Sequence, residues 1–200
     1  MNIYCIGRNY LKHIEELGNQ INEEPVIFLK SQSSVRELNT LGIIYPYDDL
    51  NYEVEIVLKI GRDFNLNQKV KFHDISHIAL GIDLTRRDKQ TELKKKGLPW
   101  TVAKSFLGAA ILGQFYSFDH YHNQSEIPFW LKVNGDIKQK SSSKYMLHSF
   151  LEICDYLNTF SPLQKGDLIF TGTPEGVGPI KMGDQMEFKL AQENIEIGYL

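Results

Sequence analysis

The sequence predicts a strand-rich α+β fold, with residues 1–200 forming a single domain. Most apolar residues occur in short runs bounded by Gly, Pro, Asn or Asp, which is typical of strands separated by turns. Only the stretch 146–160 carries a longer helical pattern. The chain has 200 residues, of which 42% are hydrophobic, and this is enough for one compact core without disulfide bonds.

Strand patterns recur along the chain. Apolar or alternating runs mark them at 3–6, 25–29, 52–60, 78–84, 129–133, 167–171 and 185–190. The dipeptide Asn134-Gly135 is a strong signal for a hairpin turn. Helices are predicted over 9–17, where Gly18-Asn19 ends the pattern, and over 146–160, where an apolar stripe begins at Leu147.

The charge and the cysteine content exclude several classes of protein. With 22 Lys and Arg against 25 Asp and Glu, the net charge is −3, so no general attraction to nucleic acid or anionic lipid is expected. No apolar run approaches the roughly 18 residues that a membrane span needs. Two isolated cysteines and the lack of a signal-peptide pattern favour a reducing cytoplasm. A protein that acts on small molecules is therefore expected.

Three acidic residues form the most informative pattern. Glu53 and Glu55 stand two residues apart at the start of a predicted strand, so both side chains point to one face. Asp83 ends another apolar run, where an unpaired carboxylate is costly. Oxygen ligands alone suit Mg²⁺, Mn²⁺ or Ca²⁺ rather than zinc or copper. The alternative is that Glu53 and Glu55 pair with Lys or Arg of a neighbouring strand.

A histidine and a glutamate form the second pattern. His13 and Glu16 are three residues apart in a predicted helical turn and can meet on one face. A carboxylate beside an imidazole raises its basicity, which suits a general base that takes a proton from water or from a carbon acid. A surface ion pair is the alternative interpretation. The other histidines are interpreted as surface or structural residues.

Lysines and a glycine-rich turn complete the candidates. Lys104 lies in an apolar and aromatic segment, where its ammonium group either faces developing negative charge or extends to water. The run Lys94-Lys95-Lys96 is interpreted as a solvated helix face. The segment 171–178 follows a strand and offers backbone amides that can cradle a carboxylate. It lacks the spacing and the lysine of a nucleotide-binding loop.

Longer motifs resemble the fumarylacetoacetate hydrolase family. They cover nearly the whole chain in matching order: Gly7-Arg8-Asn9-Tyr10, His13, Phe28-Leu29-Lys30, Glu53-Val54-Glu55, Asp83, Arg87-Asp88, Gln90, 94–100, 103–106 and 171–178. The segment 94–100 and the His13–Glu16 pair are most similar to the short acylpyruvate hydrolase and oxaloacetate decarboxylase branch of this family.

The resemblance implies a fold and a site. The fold is a mixed β-sheet roll or sandwich with short helices, usually in a homodimer. Three carboxylates hold Mg²⁺ or Mn²⁺, for which Ca²⁺ can substitute: Glu53, Glu55 and Asp83. The catalytic residues are a histidine base with its glutamate partner and a lysine that stabilises an oxyanion: His13, Glu16 and Lys104. Four polar residues are the implied substrate contacts: Lys30, Arg87, Gln90 and Thr173.

The predicted function is metal-dependent chemistry of a small 2-oxo or 2,4-dioxo acid. The first candidate is hydrolysis of a C–C bond in acylpyruvates or fumarylpyruvate, in which His13 and Glu16 activate water and pyruvate is released with a carboxylate. Decarboxylation of oxaloacetate is a further activity of the same site. The alternatives are a 2-oxo acid isomerase, tautomerase or hydratase, and a non-catalytic binding protein stabilised by metal.

Overall fold

The computed structural model describes residues 1–16, 18, 24–40 and 45–200. Fifteen strands are present in this part of the chain: β1 (Ile3–Gly7), β2 (Val26–Lys30), β3 (Val35–Glu37), β4 (Leu50–Tyr52), β5 (Val54–Ile60), β6 (Ile75–Asp83), β7 (Thr85–Arg86), β8 (Ala110–Leu112), β9 (Tyr116–Ser117), β10 (Pro128–Val133), β11 (Asp136–Ser142), β12 (Leu168–Phe170), β13 (Gly178–Pro179), β14 (Gln185–Leu190) and β15 (Glu196–Tyr199). The same residues form four short α-helices: α1 (Leu11–Glu16), α2 (Arg87–Lys95), α3 (Thr101–Lys104) and α4 (Phe150–Leu157).

Three sheets organise these strands. The largest has the order β2-β1-β12-β5-β6-β8-β3, and β9 also pairs with β6. Two of its pairs, β1–β12 and β3–β8, are parallel, whereas β5–β6 and the other neighbours are antiparallel. A second sheet has the order β11-β10-β14-β15, and a third has the order β13-β4-β7. The predicted fold class, a strand-rich α+β fold with a mixed sheet, is confirmed.

The central strand β5 is apolar on both faces, as its sequence predicts. One face contributes to the main hydrophobic core through Val54, Ile56 and Leu58. On the other face, Val57 belongs to a smaller apolar cluster, and Glu55 precedes it by two residues on the same side. The packing here is close, because a Cβ added at Gly81 would lie 2.8 Å from the side chains of both Phe170 and Val57. Because residue 81 of β6 is glycine, the Phe170 ring can pack close to the part of the sheet that carries Glu55.

The predicted hairpin is confirmed and has the expected backbone. Asn134 and Gly135 connect β10 to β11 with φ angles of 52° and 85°. Positive φ at both central residues is the requirement of a type I′ turn, whose twist matches that of the flanking strands. The hairpin brings β11 into contact with the start of β5, where the Val54 amide donates to Gln139.

The helix predicted over 146–160 is shorter in the structure. It begins at Phe150, because Ser149 and Glu152 form a capping box in which the Ser149 amide donates to Glu152 Oε2 at 2.8 Å. Leu147, predicted on the apolar stripe of the helix, lies outside it and is exposed. The helix predicted over 9–17 is observed as α1, and residue 17 lies outside the described residues.

Candidate active site

Three carboxylates meet where two antiparallel strands pair. Glu55 lies in β5, Glu53 directly precedes that strand, and Asp83 ends β6. The Asp83 amide donates to the Glu53 carbonyl at 2.8 Å, so these residues face each other across the strand pair. One oxygen of each carboxylate lies within 4.8 Å of the others, and all three residues are buried. The structure thus brings the three predicted ligands together.

Two lysines and an arginine surround the carboxylates. Lys104 Nζ donates to Glu53 Oε2 at 2.6 Å and to Asp83 Oδ2 at 2.7 Å. Lys30 Nζ lies 2.6 Å from Asp83 Oδ1 and also contacts two main-chain carbonyl groups. Arg87 donates to the other oxygen of Glu53. The salt bridges that were the alternative to a metal site are therefore present for one of the two glutamates, Glu53, and its partners belong to helices instead of a neighbouring strand.

The pKa values of the two glutamates are shifted in opposite directions. Burial alone would raise the pKa of Glu53, but the positive charges of Lys104 and Arg87 outweigh it and hold that pKa well below its usual range. Burial raises the pKa of Glu55, and the like charges of its two acidic neighbours raise it further. The Gly172 amide, which donates to Glu55 Oε2 at 2.7 Å, opposes this shift. Glu55 forms no salt bridge within the described part of the chain.

This set of donors fits a divalent cation such as Mg²⁺ or Mn²⁺. All the donors are carboxylate oxygens, which hard cations prefer. A cation would offset the repulsion among the three carboxylates, and it would give Glu55 the positive partner that it lacks among the described residues. The ion would be held by Glu53, Glu55 and Asp83. When bound there, it supplies electrostatic stabilisation of negative charge that develops on a substrate oxygen.

His13 and Glu16 lie together on α1, and a glycine-rich turn holds the glutamate. His13 Nδ1 is 3.3 Å from Glu16 Oε2, and the Gly176 amide donates to Glu16 Oε1 at 3.0 Å. Gly176 has a φ of 92°, and a Cβ added there would lie 2.1 Å from the Lys138 carbonyl oxygen, so the turn requires glycine at this position. The segment 171–178 thus does cradle carboxylates, namely those of Glu16 and Glu55.

Burial decides the protonation of His13. It lowers the pKa of the imidazole and outweighs the opposing effects of Glu53 and Glu16. Glu16 does raise the pKa of His13, as predicted, but this effect is smaller than that of burial, since His13 is only 6% exposed. A neutral imidazole keeps a lone pair, and with Nδ1 directed at Glu16 the nitrogen that can accept a proton is Nε2.

One cavity brings most of the predicted residues together. Its lining includes His13, Glu53, Glu55, Asp83, Arg87, Gln90, Lys104 and Thr173. Glu16 contacts His13 instead of lining this cavity, and Lys30 likewise contacts Asp83. The substrate contact at Lys30 stays a prediction, and in the structure its ammonium group serves as a counter-ion of Asp83. The cavity lining also includes residues that the sequence-based assignment omitted, among them Arg8, Lys94 and Trp100.

The lysine run at the end of α2 divides between the cavity and the solvent. Lys95 and Lys96 are exposed, as predicted, but Lys94 is half-buried and lines the cavity, so the solvated-face interpretation is wrong for this residue. The reason is its position, since Arg87, Gln90 and Lys94 are three and four residues apart and share one helix face. That spacing was the sequence signal that could have assigned Lys94 to the site.

Gln139 of β11, which sequence reasoning did not single out, connects β5 to the segment 171–178, both of which carry site residues. Its Oε1 accepts from the Val54 amide at 2.8 Å, between the two glutamates. Its Nε2 donates to Thr173 Oγ1 at 2.8 Å and to the Pro174 carbonyl at 2.9 Å. The residue is 1% exposed, so these bonds are sheltered from water. A polar residue at the buried position of a hairpin strand was the only signal, and its partners lie 34 to 85 residues away.

Substitution of Gln139 by Leu is expected to destabilise the protein by about 2–4 kcal/mol. The change leaves the Val54 amide and the Pro174 carbonyl buried without partners, and each such group costs about 1–3 kcal/mol. Denaturant unfolding measures the difference. The matched control is Gln124→Leu at an exposed position, which should change stability by less than about 1 kcal/mol. Equal stability of the two variants would contradict the role of Gln139.

The fold and the site indicate an enzyme. A mixed sheet carries a pocket that holds a candidate base and a carboxylate cluster. Comparison with known proteins gives the same answer. The family model described as "Fumarylacetoacetate (FAA) hydrolase C-terminal" matches residues 2–200. The chain belongs to this family, and the resemblance seen in its motifs is confirmed.

Curated relatives are more than a third identical to this chain over the aligned residues. The mitochondrial oxaloacetate tautomerase of Mus musculus is 38% identical over 188 residues, which cover 93% of this chain and 85% of the relative. The mitochondrial oxaloacetate decarboxylase of Dictyostelium discoideum is 38% identical over 186 residues, which cover 90% and 84%. The family therefore includes enzymes that act on oxaloacetate.

Solved structures with the same fold include a fumarylpyruvate hydrolase. The Pseudomonas aeruginosa enzyme, crystallised with Mn²⁺ and pyruvate, matches with a TM-score of 0.90 and 30% identity, over 100% of this chain and 88% of that one. Hydrolases, decarboxylases and tautomerases thus share this architecture. No helix among the described residues is long and apolar enough to cross a bilayer. Because the curated relatives carry mitochondrial names, a cytoplasmic location stays a prediction.

Proposed function

We propose that the protein is a Mg²⁺- or Mn²⁺-dependent enzyme that interconverts the enol and keto forms of oxaloacetate. The observation that carries this proposal is a buried, neutral His13 in the same cavity as three clustered carboxylates. Such a cavity combines a base for a carbon-bound proton with electrostatic stabilisation of the neighbouring oxygen. The tautomerase relative with 38% identity supports the choice of substrate.

The proposed roles of the chain's own residues follow from their contacts. Ketonisation removes a proton from the C2 hydroxyl group and adds one at C3. Nε2 of the neutral His13 accepts the first proton and then donates it to C3, so the imidazole is neutral again at the end. Glu16 accepts the Nδ1 hydrogen bond and so holds the imidazole in the required tautomer. The ammonium group of Lys104, buried between Glu53 and Asp83, contributes positive charge toward the oxygen at C2.

Hydrolysis of 2,4-dioxo acids is the second candidate. It is favoured by the similarity to the Pseudomonas aeruginosa fumarylpyruvate hydrolase. In this reaction His13 would take a proton from water rather than from carbon, and Lys104 would face the oxygen that becomes negative. The sequence motifs alone favoured this hydrolysis over tautomerisation. The names of the relatives with 38% identity favour reactions of oxaloacetate instead.

Purified protein with excess Mg²⁺ is expected to accelerate the decay of enol-oxaloacetate absorbance by more than roughly 100-fold over a Mg²⁺ blank, the scale of a single general base. Chelation with EDTA should abolish the acceleration. Pyruvate release from oxaloacetate, acetylpyruvate and fumarylpyruvate is measured in parallel with a coupled dehydrogenase. If pyruvate is released from acetylpyruvate faster than enol-oxaloacetate decays, the second candidate is favoured. If none of these reactions is accelerated, the proposal is contradicted.

We also propose that the protein is a homodimer, as the family resemblance implies. Large apolar side chains with about half or more of their surface exposed, such as Val102 and Leu107, support a contact with a second copy. The net charge of −3 gives no reason to propose a nucleic-acid or membrane partner.

A further inference from the structure

Positive charge is concentrated on the wall of the cavity formed by α2 and the end of β1. Arg8 follows β1 in a left-handed backbone conformation with a φ of 60°, and it lines the cavity together with Arg87 and Lys94. Arg87 is paired with Glu53, but Lys94 forms no salt bridge with the residues that the structure describes. Lys94 therefore contributes a positive charge to this wall that no salt bridge with a described residue offsets.

The position of Lys94 is set by its helix and by an aromatic ring. It shares the cavity-facing side of α2 with Arg87 and Gln90, and its Nζ lies 5.1 Å from the centre of the Trp100 ring. Trp100 in turn packs on Phe28, with the ring centres 5.9 Å apart. The ammonium group is thus held at an aromatic wall of the cavity instead of extending freely into solvent.

The surroundings of Lys94 favour an anionic ligand. Burial, together with the charges of Arg8, Arg87 and Lys104, lowers the pKa of Lys94 to about 8, against a smaller opposing effect of Glu53. Half-buried cations that repel one another are relieved when an anion binds between them. A carboxylate is the small anion that the proposed substrate class supplies.

We infer that Lys94 binds the second carboxylate of the substrate and so makes the site selective for dicarboxylic 2-oxo acids. This inference rests on the proposed function, in which the C1 carboxylate and the 2-oxo group approach the acidic cluster. The far end of a four-carbon acid must then reach another part of the same cavity, and Lys94 is a cation there that no salt bridge among the described residues engages. A monocarboxylic acid of the same length leaves it without an anion.

Two stable ligands separate this role from a general effect on binding. Malate and 2-hydroxybutyrate differ only at the far end, where a carboxylate replaces a methyl group. In calorimetric titrations with excess Mg²⁺, Lys94→Met should weaken malate binding by roughly 10- to 100-fold, the range of a charge-assisted hydrogen bond. Binding of 2-hydroxybutyrate should change by less than about 2-fold, because its methyl group makes no such bond.

The matched control is Lys95→Met, which removes the same charge from an exposed position of the same helix. It should leave both affinities unchanged, since it does not line the cavity. An equal loss for both ligands in Lys94→Met, or no loss for either, would overturn the inference. Failure of the proposed function gives a different result, namely no turnover of oxaloacetate by the unmodified protein while the contrast between the two ligands persists.

Discussion

Substitution of Glu55 by Gln is expected to remove tight Mg²⁺ or Mn²⁺ binding while barely changing the stability of the metal-free protein. Burial and like charges raise the pKa of Glu55, which favours the neutral form of its carboxyl group when no metal is bound. A carboxamide has nearly the same shape and still accepts from the Gly172 amide. The melting temperature should therefore change by less than about 4 °C, which corresponds to roughly 1 kcal/mol for a chain of this size.

The metal affinity should respond far more strongly. A neutral amide cannot supply the negative charge that a divalent cation requires, so we expect a loss of at least about 100-fold, beyond the roughly 10- to 100-fold typical of removing a group that only orients a ligand. Titration calorimetry with Mg²⁺ and with Mn²⁺ measures this loss. Equal heats from the variant and the unmodified protein would show that Glu55 holds no metal.

Glu53→Gln is the informative comparison, because the two glutamates have opposite partners. Glu53 is ionised and pairs with Lys104 and Arg87, so its neutralisation leaves Arg87 without its carboxylate and removes one of the two carboxylates that Lys104 contacts. Breaking a buried pair in this way costs roughly 3–5 kcal/mol. Thermal unfolding in EDTA should thus separate the two variants clearly. Equal destabilisation of both variants would mean that Glu55 is ionised in the metal-free protein, and it would contradict the prediction for Glu55→Gln.

Local patterns predicted the part of the site that depends on local geometry. The spacing of Glu53 and Glu55 predicts one face of a strand, and the structure places them there with Asp83 opposite. The spacing of His13 and Glu16 similarly predicts their contact on α1. These relations follow from a repeat of two or of 3.6 residues, so they need no knowledge of the remaining fold.

The remainder depends on contacts between distant segments. Gln139 acts on Val54 across 85 residues, and nothing near it in the sequence indicates that partner. Burial, which outweighs the effect of Glu16 on the pKa of His13, is likewise set by the distant segments that line the cavity around it. Lys94 was within reach of local reasoning, but the run of three lysines concealed its 3–4 spacing from Arg87 and Gln90. Neighbouring lysines of one helix thus lie on different faces, and only the spacing from other polar residues shows which of them faces the cavity.

Substitution of His13 by Asn is expected to separate the reactions that this cavity can support. Enol–keto interconversion of oxaloacetate and hydrolysis of acetylpyruvate each need a base, so both rates should fall by about 10²- to 10⁴-fold. Loss of carbon dioxide from oxaloacetate breaks a C–C bond without a base, and its rate should fall by less than about 10-fold. Glu16→Gln should lower the first two rates by less than the His13 variant, because the amide oxygen still accepts from Nδ1.

The three rates are measured on one preparation with excess Mg²⁺, and the control is His120→Asn at an exposed position outside the cavity. All three rates should be unchanged in that control. The decisive quantity is the ratio of decarboxylation to enol decay, which should rise by at least about 10-fold in His13→Asn, as the loss of one general base predicts. A constant ratio would mean that His13 supports the binding or folding of the site as a whole, and the base would have to be sought elsewhere in the cavity.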